Sequence, residues 1–384
     1  MNSAVIVDAV RTPSGRGKPG GTLAHWHPVD LLATTLRALI DRTGIDPALI
    51  DDVIGGCLAQ IGSQSVNVTR NAVLAAGFPE SVPGTTIDRQ CGSSQQAATF
   101  AAQGVMAGSY DVVIACGVEL MSAHPIGSAT LGDDPYGSAV AARYPEGLVG
   151  QGVSAELVAA RWNLSRRDLD EFAARSHRLA ASADFSRETI PIDGLTTDET
   201  VRPGTTVEAL ASLSPAFVDD ALGRRFPEID WRITAGNSSP LTDGASAVLI
   251  MSEERAALLG LTPRARFRGF AVTGSDPVEM LTGIMPATRR VLSRTGLGLD
   301  DIDVAEVNEA FASVPLAWQR EFDADPERIN PKGGAIALGH ALGSSGTRLL
   351  TTLLGALEER DGTFGLQTMC EGGGMANATV IERL

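Results

Sequence analysis

Residues 86–97 read Thr-Ile-Asp-Arg-Gln-Cys-Gly-Ser-Ser-Gln-Gln-Ala, and this stretch carries more information about the chain than any other. Its β-rich beginning gives way to the small residues that are typical of a helix start, and Cys91 lies at the junction. A thiol at a helix N-terminus lies near the positive end of the helix dipole, which favours the thiolate. We therefore predict that Cys91 is a nucleophile whose pKa is lowered by the helix.

Two segments far along the chain could serve such a nucleophile. Residues 333–343 read Gly-Gly-Ala-Ile-Ala-Leu-Gly-His-Ala-Leu-Gly and contain His340, and residues 370–374 read Cys-Glu-Gly-Gly-Gly. Histidine is the side chain best suited to act as a general base near neutral pH. The interpretation is that His340 takes a proton from Cys91, and that Cys370 supplies a second thiol beside a flexible backbone.

The chain also repeats itself. Residues 39–45 and 50–55 are similar to residues 291–297 and 301–306, and Arg42 precedes Cys91 by 49 positions while Arg294 precedes His340 by 46. A helical stretch follows Cys91 and another follows His340, and each leads to an apolar strand. Alternating strands and helices predict an α/β fold with a mainly parallel, buried sheet in each half. A pseudo-two-fold axis would place the nucleophile opposite the base, unless the similarity of these short segments is due to chance.

The stretch between the halves, residues 120–239, is rich in Gly, Ser, Pro and charged residues. It contains one clear helix, predicted over 166–183 with Ser165 as its N-cap. The helix arginines either form a solvated face or contact the phosphates of a nucleotide; they are Arg166, Arg167, Arg175 and Arg178. Residues 245–251 are apolar and predict a strand that returns to the first sheet.

The segments around Cys91, His340 and Cys370, together with Val-Asn-Glu-Ala-Phe-Ala at 307–312, resemble the four signature segments of the thiolases. Thiolases are acyltransferases that depend on coenzyme A (CoA), and the resemblance covers essentially the whole chain. It implies the thiolase fold, in which two duplicated βα halves form a five-layer αβαβα sandwich with an inserted loop domain. The implied division is 1–119 for the N-terminal half, 120–239 for the CoA-binding loop domain, 240–262 for the return to the N-terminal half, and 263–384 for the C-terminal half.

The resemblance also implies a role for each site residue. Cys91 takes the acyl group, His340 removes its proton, and Cys370 is the acid and base at the substrate α-carbon. Negative charge on two thioester oxygens requires two oxyanion holes. One is implied to consist of His340 and a water held by Asn308, and the other of the main-chain N–H groups of Cys91 and Gly372.

Three further residues have less certain roles. Glu309 either orients the site or makes a structural ion pair. Ser239 matches a serine that touches the pantetheine arm of CoA in thiolases, although a serine in a turn or a helix cap would look the same. Gly152 lies in Gln-Gly-Val-Ser-Ala-Glu at 151–156, which resembles the M-G-x-T-A-E segment of the loop domain, and it is implied to line the substrate and CoA site.

Several positions depart from the thiolase pattern. Ala341 replaces the proline of G-H-P-x-G, which would loosen the turn around His340, and Ser94 and Pro240 each replace a glycine. The loop domain has Gly150 and Gln151 where short-chain biosynthetic thiolases have a bulky His-Met pair. This difference predicts a wider acyl pocket and a preference for medium-chain or ring-bearing substrates, unless Tyr136 or Tyr144 refills the space.

The predicted activity is that of an acetyl-CoA C-acyltransferase, or 3-ketoacyl-CoA thiolase, in fatty acid or steroid degradation. The sequence is most similar to degradative thiolases of actinobacterial steroid and lipid catabolism. Three alternatives remain: an acetoacetyl-CoA thiolase, a condensing enzyme of the ketoacyl-synthase type, and a catalytically weak lipid-binding protein of the thiolase type. Ketoacyl synthases use Cys with two His, or with His and Asn, so the second cysteine favours a thiolase.

Composition excludes other classes of protein. The net charge of −15 disfavours nucleic acid as a partner, and the sequence has no apolar run long enough to cross a membrane. No basic segment precedes the first apolar run, so no secretory signal is predicted. The four cysteines are far apart, which favours neither a metal site nor disulfides and fits a reducing, cytoplasmic setting. We expect no cofactor, CoA as co-substrate, acyl-CoA thioesters as ligands, and a homodimer or homotetramer.

Overall fold

Buried apolar strands form the centre of both halves in the computed structural model, which describes residues 3–384. The strands are β1 Ala4–Arg11, β2 Gly15–Arg16, β3 Asp52–Gly56, β4 Thr85–Ile87, β5 Val112–Leu120, β6 Thr242–Ser252, β7 Ala265–Gly274, β8 Val304–Val307, β9 Phe364–Glu371 and β10 Met375–Arg383. The helices are α1 Pro28–Thr43, α2 Val68–Ala75, α3 Ser93–Met106, α4 Gly137–Arg143, α5 Gln151–Arg161, α6 Arg166–Ser182, α7 Val207–Ala211, α8 Asp220–Arg225, α9 Glu253–Leu258, α10 Ile284–Thr295, α11 Ser313–Phe322, α12 Ala335–Leu338 and α13 Ser345–Glu359.

The two halves have the same strand order. The first runs β4-β3-β5-β6-β1 and the second runs β8-β9-β10-β7, with β3, β5, β6 and β1 corresponding to β8, β9, β10 and β7. Ile329 makes a parallel bridge to Ala305 of β8, at the place that β4 occupies beside β3. The first helix of each half ends at a left-handed glycine, Gly44 and Gly296. The repeat predicted from the sequence is therefore a structural repeat.

The prediction of mainly parallel sheets is wrong. Only β3 with β4, β3 with β5, and β8 with β9 are parallel among the described strand pairs. Strand β10 follows β9 through a tight turn and so must run antiparallel to it, and β6 enters antiparallel between β5 and β1. The two halves join where Val5 and Ile6 of β1 pair with Arg266 and Ala265 of β7.

Helices α3 and α13 form the central layer between the sheet halves. Their backbones approach closely, because a Cβ atom on Gly346 of α13 would lie 2.0 Å from the main-chain nitrogen of Gln95 in α3. Alanines of α3 and leucines of α13 share one buried cluster with strand residues of both halves. Helices α1 and α2 cover the outer face of the first half, and α10 packs on the second. This gives the predicted αβαβα layers and puts the starts of α3 and α13 side by side.

The inserted region contains α4 to α8. Helix α6 begins at the predicted N-cap, Ser165, with a capping box to Asp168, and ends one residue before the predicted end. Its arginines do not form a purely solvated face. Arg166 donates to the carbonyls of Leu210 and Leu213, and Arg175 donates to the carbonyl of Ile329, so both arginines fasten α6 to the protein.

Within residues 3–384, no helix has both the length and the apolar character needed to cross a membrane. The four cysteines are buried free thiols.

Candidate active site

Cys91 lies where the chain leaves β4 and begins α3. Gln90 has a left-handed backbone with φ of 50°, and Gly92 is the N-cap of the helix. The Cys91 side chain is 3% exposed and packs in an apolar cluster with residues from both halves. Two members of that cluster are Leu342, two residues after His340, and Met369, directly before Cys370. The nucleophile and the two later segments therefore meet at one site.

The predicted low pKa of Cys91 is wrong for the free protein. Burial raises the pKa of Cys91 to about 12, and the nearby carboxyl of Glu371 adds to the rise. The side-chain amide of Gln151 acts in the opposite direction, since its Nε2 lies 4.0 Å from Sγ. Desolvation exceeds the effect of the helix terminus, because the sulfur is enclosed by apolar side chains. Cys91 is thus a neutral thiol that needs a base before it can attack.

His340 is held from several sides and is 4% exposed. Its main-chain N–H donates to Oγ1 of Thr242 over 2.9 Å. Its Nδ1 lies 2.7 Å from Oγ of Ser345, and its Nε2 lies 3.5 Å from Nδ2 of Asn308. Burial, reinforced by Arg348, lowers the pKa of His340 to about 3. The ring is therefore neutral at pH 7 and able to accept a proton.

The departures near His340 leave its surroundings intact. Ala341 has φ of −71°, which is the value a proline would impose. The carbonyl of Pro240 accepts a hydrogen bond from Thr242, the residue that holds the main chain of His340. The hydroxyl of Ser94 accepts a hydrogen bond from the main-chain N–H of Thr347, which joins the starts of α3 and α13.

Asn308 follows β8, and its main-chain N–H donates to the carbonyl of Thr368 in β9. Its side chain is 2% exposed, and Nδ2 faces His340. Its Oδ1 is buried and has no hydrogen-bond partner within the described chain. A buried acceptor of this kind is unfavourable unless something pairs with it, so Oδ1 can bind a polar group brought into the site.

Glu309 orients the backbone and makes no ion pair within residues 3–384. Its carboxyl accepts hydrogen bonds from Ser176 Oγ at 2.6 Å, Asn330 Nδ2 at 2.9 Å and the main-chain nitrogen of Ile336 at 3.1 Å. Burial raises the pKa of Glu309. These contacts fasten the segment that leads to His340 onto α6, so the structural ion-pair interpretation is wrong.

Cys370 lies near the end of β9, and Gly372 is the first residue of the turn between β9 and β10. Cys370 is 1% exposed, and burial raises the pKa of its thiol, with a further rise from Cys91 nearby. A Cβ atom on Gly372 would lie 2.8 Å from Oε1 of Gln90, and one on Gly92 would lie 1.9 Å from Oε1 of Glu371. Glycine at both positions lets the Cys91 loop and the Cys370 turn pack directly on each other.

Ser239 and Gly152, the two residues predicted to contact CoA, lie in different surroundings. Ser239 lies beside the Asn308 segment, where both its N–H and its hydroxyl donate to the carbonyl of Ala310. Gly152 is buried in the first turn of α5, and a Cβ atom on it would lie 2.3 Å from the ring of Phe217. Gly152 therefore permits close packing of α5 and does not itself present a polar group.

Sequence reasoning missed Thr242, Ser345 and Glu119. Glu119, at the end of β5, accepts hydrogen bonds from the main-chain nitrogens of Leu58, Ala59 and Gly343, and so connects the loops under the site. Ser345 and Thr242 lie near recognisable segments, five residues after His340 and three after Ser239, whereas Glu119 does not. Thr242 and Glu119 are brought to the site by tertiary contacts over 98 and 224 positions, which no local pattern reveals.

Residues 4–254 match the family model for the thiolase N-terminal domain, and residues 261–383 match that for the thiolase C-terminal domain. The chain belongs to the thiolase family. It is 48% identical to the steroid 3-ketoacyl-CoA thiolase FadA6 of Mycobacterium tuberculosis, over 100% of this chain and 95% of the relative. It is 45% identical to the 3-ketoacyl-CoA thiolase of Serratia proteamaculans, over the full length of both.

Solved thiolase structures agree. The crystal structure of the Bacillus anthracis acetyl-CoA acetyltransferase superimposes with a TM-score of 0.88 at 37% identity, covering 100% of this chain and 99% of that one. The predicted family, fold class and acyltransferase class are confirmed.

Proposed function

We propose that this thiolase cleaves 3-ketoacyl-CoA esters with free CoA in lipid or steroid degradation, releasing acetyl-CoA and a shortened acyl-CoA. The observation that carries the proposal is the meeting of the Cys91, His340, Asn308 and Cys370 segments at one buried site. The similarity of the chain to 3-ketoacyl-CoA thiolases, including a steroid 3-ketoacyl-CoA thiolase, supports cleavage as the direction of the reaction and 3-ketoacyl-CoA esters as the substrate class.

In the first half-reaction, Nε2 of His340 takes the proton of Cys91 as Sγ attacks the C3 ketone carbon. The main-chain N–H groups of Cys91 and Gly372 stabilise the resulting oxyanion. The C2–C3 bond then breaks, and its electron pair leaves with the acetyl-CoA enolate. His340 and a water held by Asn308 stabilise the enolate oxygen, and Cys370 donates a proton to C2 to give acetyl-CoA.

In the second half-reaction, free CoA attacks the acyl group on Cys91. The Cys370 thiolate left by the first half-reaction takes the CoA thiol proton, and protonated His340 returns its proton to the Cys91 sulfur as that sulfur leaves. The acyl chain departs as a shortened acyl-CoA. Both half-reactions use the same oxyanion donors, and Cys91 is the nucleophile of the first and the leaving group of the second.

The remaining parts of the proposal concern binding and assembly. Ser239 and the α5 segment that contains Gly152 form part of the pantetheine site, with CoA as co-substrate and no other cofactor. Residues 120–239 form the CoA-binding loop domain between the halves 1–119 and 263–384, with 240–262 completing the first. The protein assembles as a homodimer or homotetramer and works in the cytoplasm.

A thiolysis assay tests the proposal. Wild-type protein is mixed with CoA and a panel of 3-oxoacyl-CoA esters from acetoacetyl-CoA to medium-chain and ring-bearing esters, and acetyl-CoA is measured by mass spectrometry. We expect equal amounts of acetyl-CoA and shortened acyl-CoA. Thiolysis of acetoacetyl-CoA alone would instead identify an acetoacetyl-CoA thiolase, and binding without any turnover would identify the lipid-binding alternative.

A further inference from the structure

The Cys91 sulfur has a polar neighbour that the thiolase mechanism above does not use. Gln151, the first residue of α5, comes from the inserted region and places its side-chain Nε2 4.0 Å from Sγ of Cys91. Apolar or sulfur-containing side chains share a buried cluster with Cys91: Met121, Leu342, Leu349 and Met369, with Leu58 partly buried beside them. An amide N–H is thus the one hydrogen-bond donor from a side chain that reaches this sulfur within residues 3–384.

The position of Gln151 is fixed by the helix that carries it. Gly152 packs against Phe217, and Oγ of Ser154 donates to the carbonyl of Val278 over 2.5 Å. Glu156 accepts hydrogen bonds from the main-chain nitrogens of Arg232 and Ile233. These contacts hold α5, and with it the Gln151 backbone, against both the loop region and the C-terminal half.

The Gln151 side chain nevertheless has room to adjust. Its residue is only partly buried, and Gly150 before it has an extended backbone with φ of −72°. A Cβ atom on Gly150 would meet no heavy atom within 4 Å. The amide can thus shorten its long contact with the sulfur as charge develops there, without disturbing the core.

Two nearby carboxyl groups oppose the formation of a Cys91 thiolate. Glu371 and Glu119 both act to raise the pKa of Cys91, on top of burial, whereas the Gln151 amide acts to lower it. A hydrogen bond to a charged acceptor is stronger than one to a neutral acceptor, so the amide stabilises the thiolate more than the thiol. A methionine or leucine at this position would fill the same space without that donor.

We propose that Gln151 is a positioning residue for the nucleophile, and that its amide N–H donates to the Cys91 sulfur as His340 takes the thiol proton. This role rests on the proposed thiolase chemistry. The inserted region therefore contributes directly to the activation of the nucleophile, and Gln151 is more than a lining residue of the acyl pocket.

The test measures the reactivity of Cys91 without any acyl substrate. Wild-type, Gln151→Met and Gln151→Glu proteins are alkylated with iodoacetamide from pH 7 to 10, and the Cys91 peptide is quantified by mass spectrometry. Gln103→Met, a change at an exposed glutamine of α3, is the matched control. Loss of the donor should slow Cys91 alkylation about tenfold at fixed pH, because hydrogen bonds to charged groups contribute on that scale. Gln151→Glu should slow it further.

Alkylation of Cys91 at the wild-type rate in both Gln151 variants would overturn the proposal, whatever happens to turnover. Thermal melting identifies a variant that fails to fold. The alkylation rate of the other Gln151 variant then tests the proposal. A steady-state assay adds a second readout, since the proposal expects kcat to fall with little change in KM for CoA. If wild-type protein alkylates as described but cleaves no 3-oxoacyl-CoA, the proposed function fails while the Gln151 contact stands.

Discussion

Ser345 donates its hydroxyl proton to the carbonyl of Ala341 over 2.9 Å, and this contact determines the tautomer of His340. A serine hydroxyl has one proton, so the Ser345 oxygen must accept from Nδ1 of His340, which lies 2.7 Å away. The neutral imidazole then carries its proton on Nδ1 and presents the Nε2 lone pair towards Asn308 and the site. Ser345 thus prepares His340 to act as a base.

Replacing Ser345 with alanine should lower kcat for thiolysis about tenfold, the scale of one hydrogen bond, because the ring loses its fixed tautomer and orientation. KM for CoA should stay within about twofold. Ser344→Ala is the control, since Ser344 Oγ also donates to Ala341 but does not touch His340. Equal loss of kcat in both variants would show that the turn matters, and not the contact with the ring.

Substitutions of Cys91 and Cys370 should have different effects on acylation and on turnover. Incubation with acyl-CoA should add one acyl mass to the wild-type chain, and Cys91→Ser should abolish the adduct. Cys370→Ala should still form the adduct, because acyl transfer to sulfur needs no proton transfer at the α-carbon, yet it should lose thiolysis by about 10²–10⁴-fold. Cys116→Ala, at a buried thiol of β5, serves as the control. An adduct on any cysteine other than Cys91 would contradict the assignment.

Glu371 should make the protein less stable as pH rises. Its side chain is fully buried, neither carboxyl oxygen has a partner in the described chain, and burial raises the pKa of Glu371 to about 9. The folded state therefore binds more protons than the unfolded state above the ordinary glutamate pKa of about 4.3, and stability falls by up to about 1.4 kcal/mol per pH unit until the folded pKa is reached.

Glu371→Gln removes this titration, so its free energy of unfolding in urea should depend less on pH between 6 and 8.5 than that of the wild type. Glu254→Gln, at an exposed residue of α9, should leave the wild-type slope unchanged. A Glu371→Gln slope equal to that of the wild type would show that Glu371 is ionised in the folded protein.

Ala341→Pro should stabilise the protein by about 0.4–1 kcal/mol, because proline restricts the unfolded chain. Ala341 already has φ of −71°, and its N–H makes no hydrogen bond within residues 3–384. The measurement is urea unfolding, with thiolysis to check that His340 still functions. A destabilised variant would mean that the residue before Ala341 cannot adopt the backbone that proline requires.

The acyl pocket should accept bulky chains, because a Cβ atom on Gly150 would meet no heavy atom within 4 Å. We expect higher kcat/KM for medium-chain or ring-bearing esters than for acetoacetyl-CoA, since each buried methylene contributes about 0.8 kcal/mol. Gly150→His should reduce kcat/KM for the larger esters more than for acetoacetyl-CoA. Gly204→His, at an exposed glycine with similar free space, is the control. A tenfold preference of the wild type for acetoacetyl-CoA would refute the wide pocket.

The sequence predicted best what lies in short, glycine-rich segments. Cys91, His340 and Cys370 each come with neighbours that need close backbone approach, and the structure brings these segments together. The sequence predicted poorly the properties of a side chain that depend on its tertiary surroundings. The pKa of Cys91 was predicted to be low from its local helix start. Desolvation by four apolar residues that are distant in sequence raises it instead.

Whether neighbouring strands run parallel or antiparallel could not be predicted from local sequence patterns either. An apolar run such as 245–251 predicts a strand but not which neighbours it pairs with, and β6 pairs antiparallel with both β5 and β1. The alternating order of strands and helices favoured parallel pairing, because it does not reveal that β6 pairs antiparallel with β5 despite the helices between them, or that β10 follows β9 through a tight turn.

The place of β6 has a consequence for how the protein is made. It is an inner strand of the first sheet half, yet it follows β5 by about 120 residues, so the ribosome must translate the whole inserted region first. At about 5–20 residues per second, the apolar edges of β1 and β5 stay open on the nascent chain for on the order of ten seconds. The first half therefore cannot close during translation until residue 252 has left the exit tunnel, and chaperones have that interval in which to bind it.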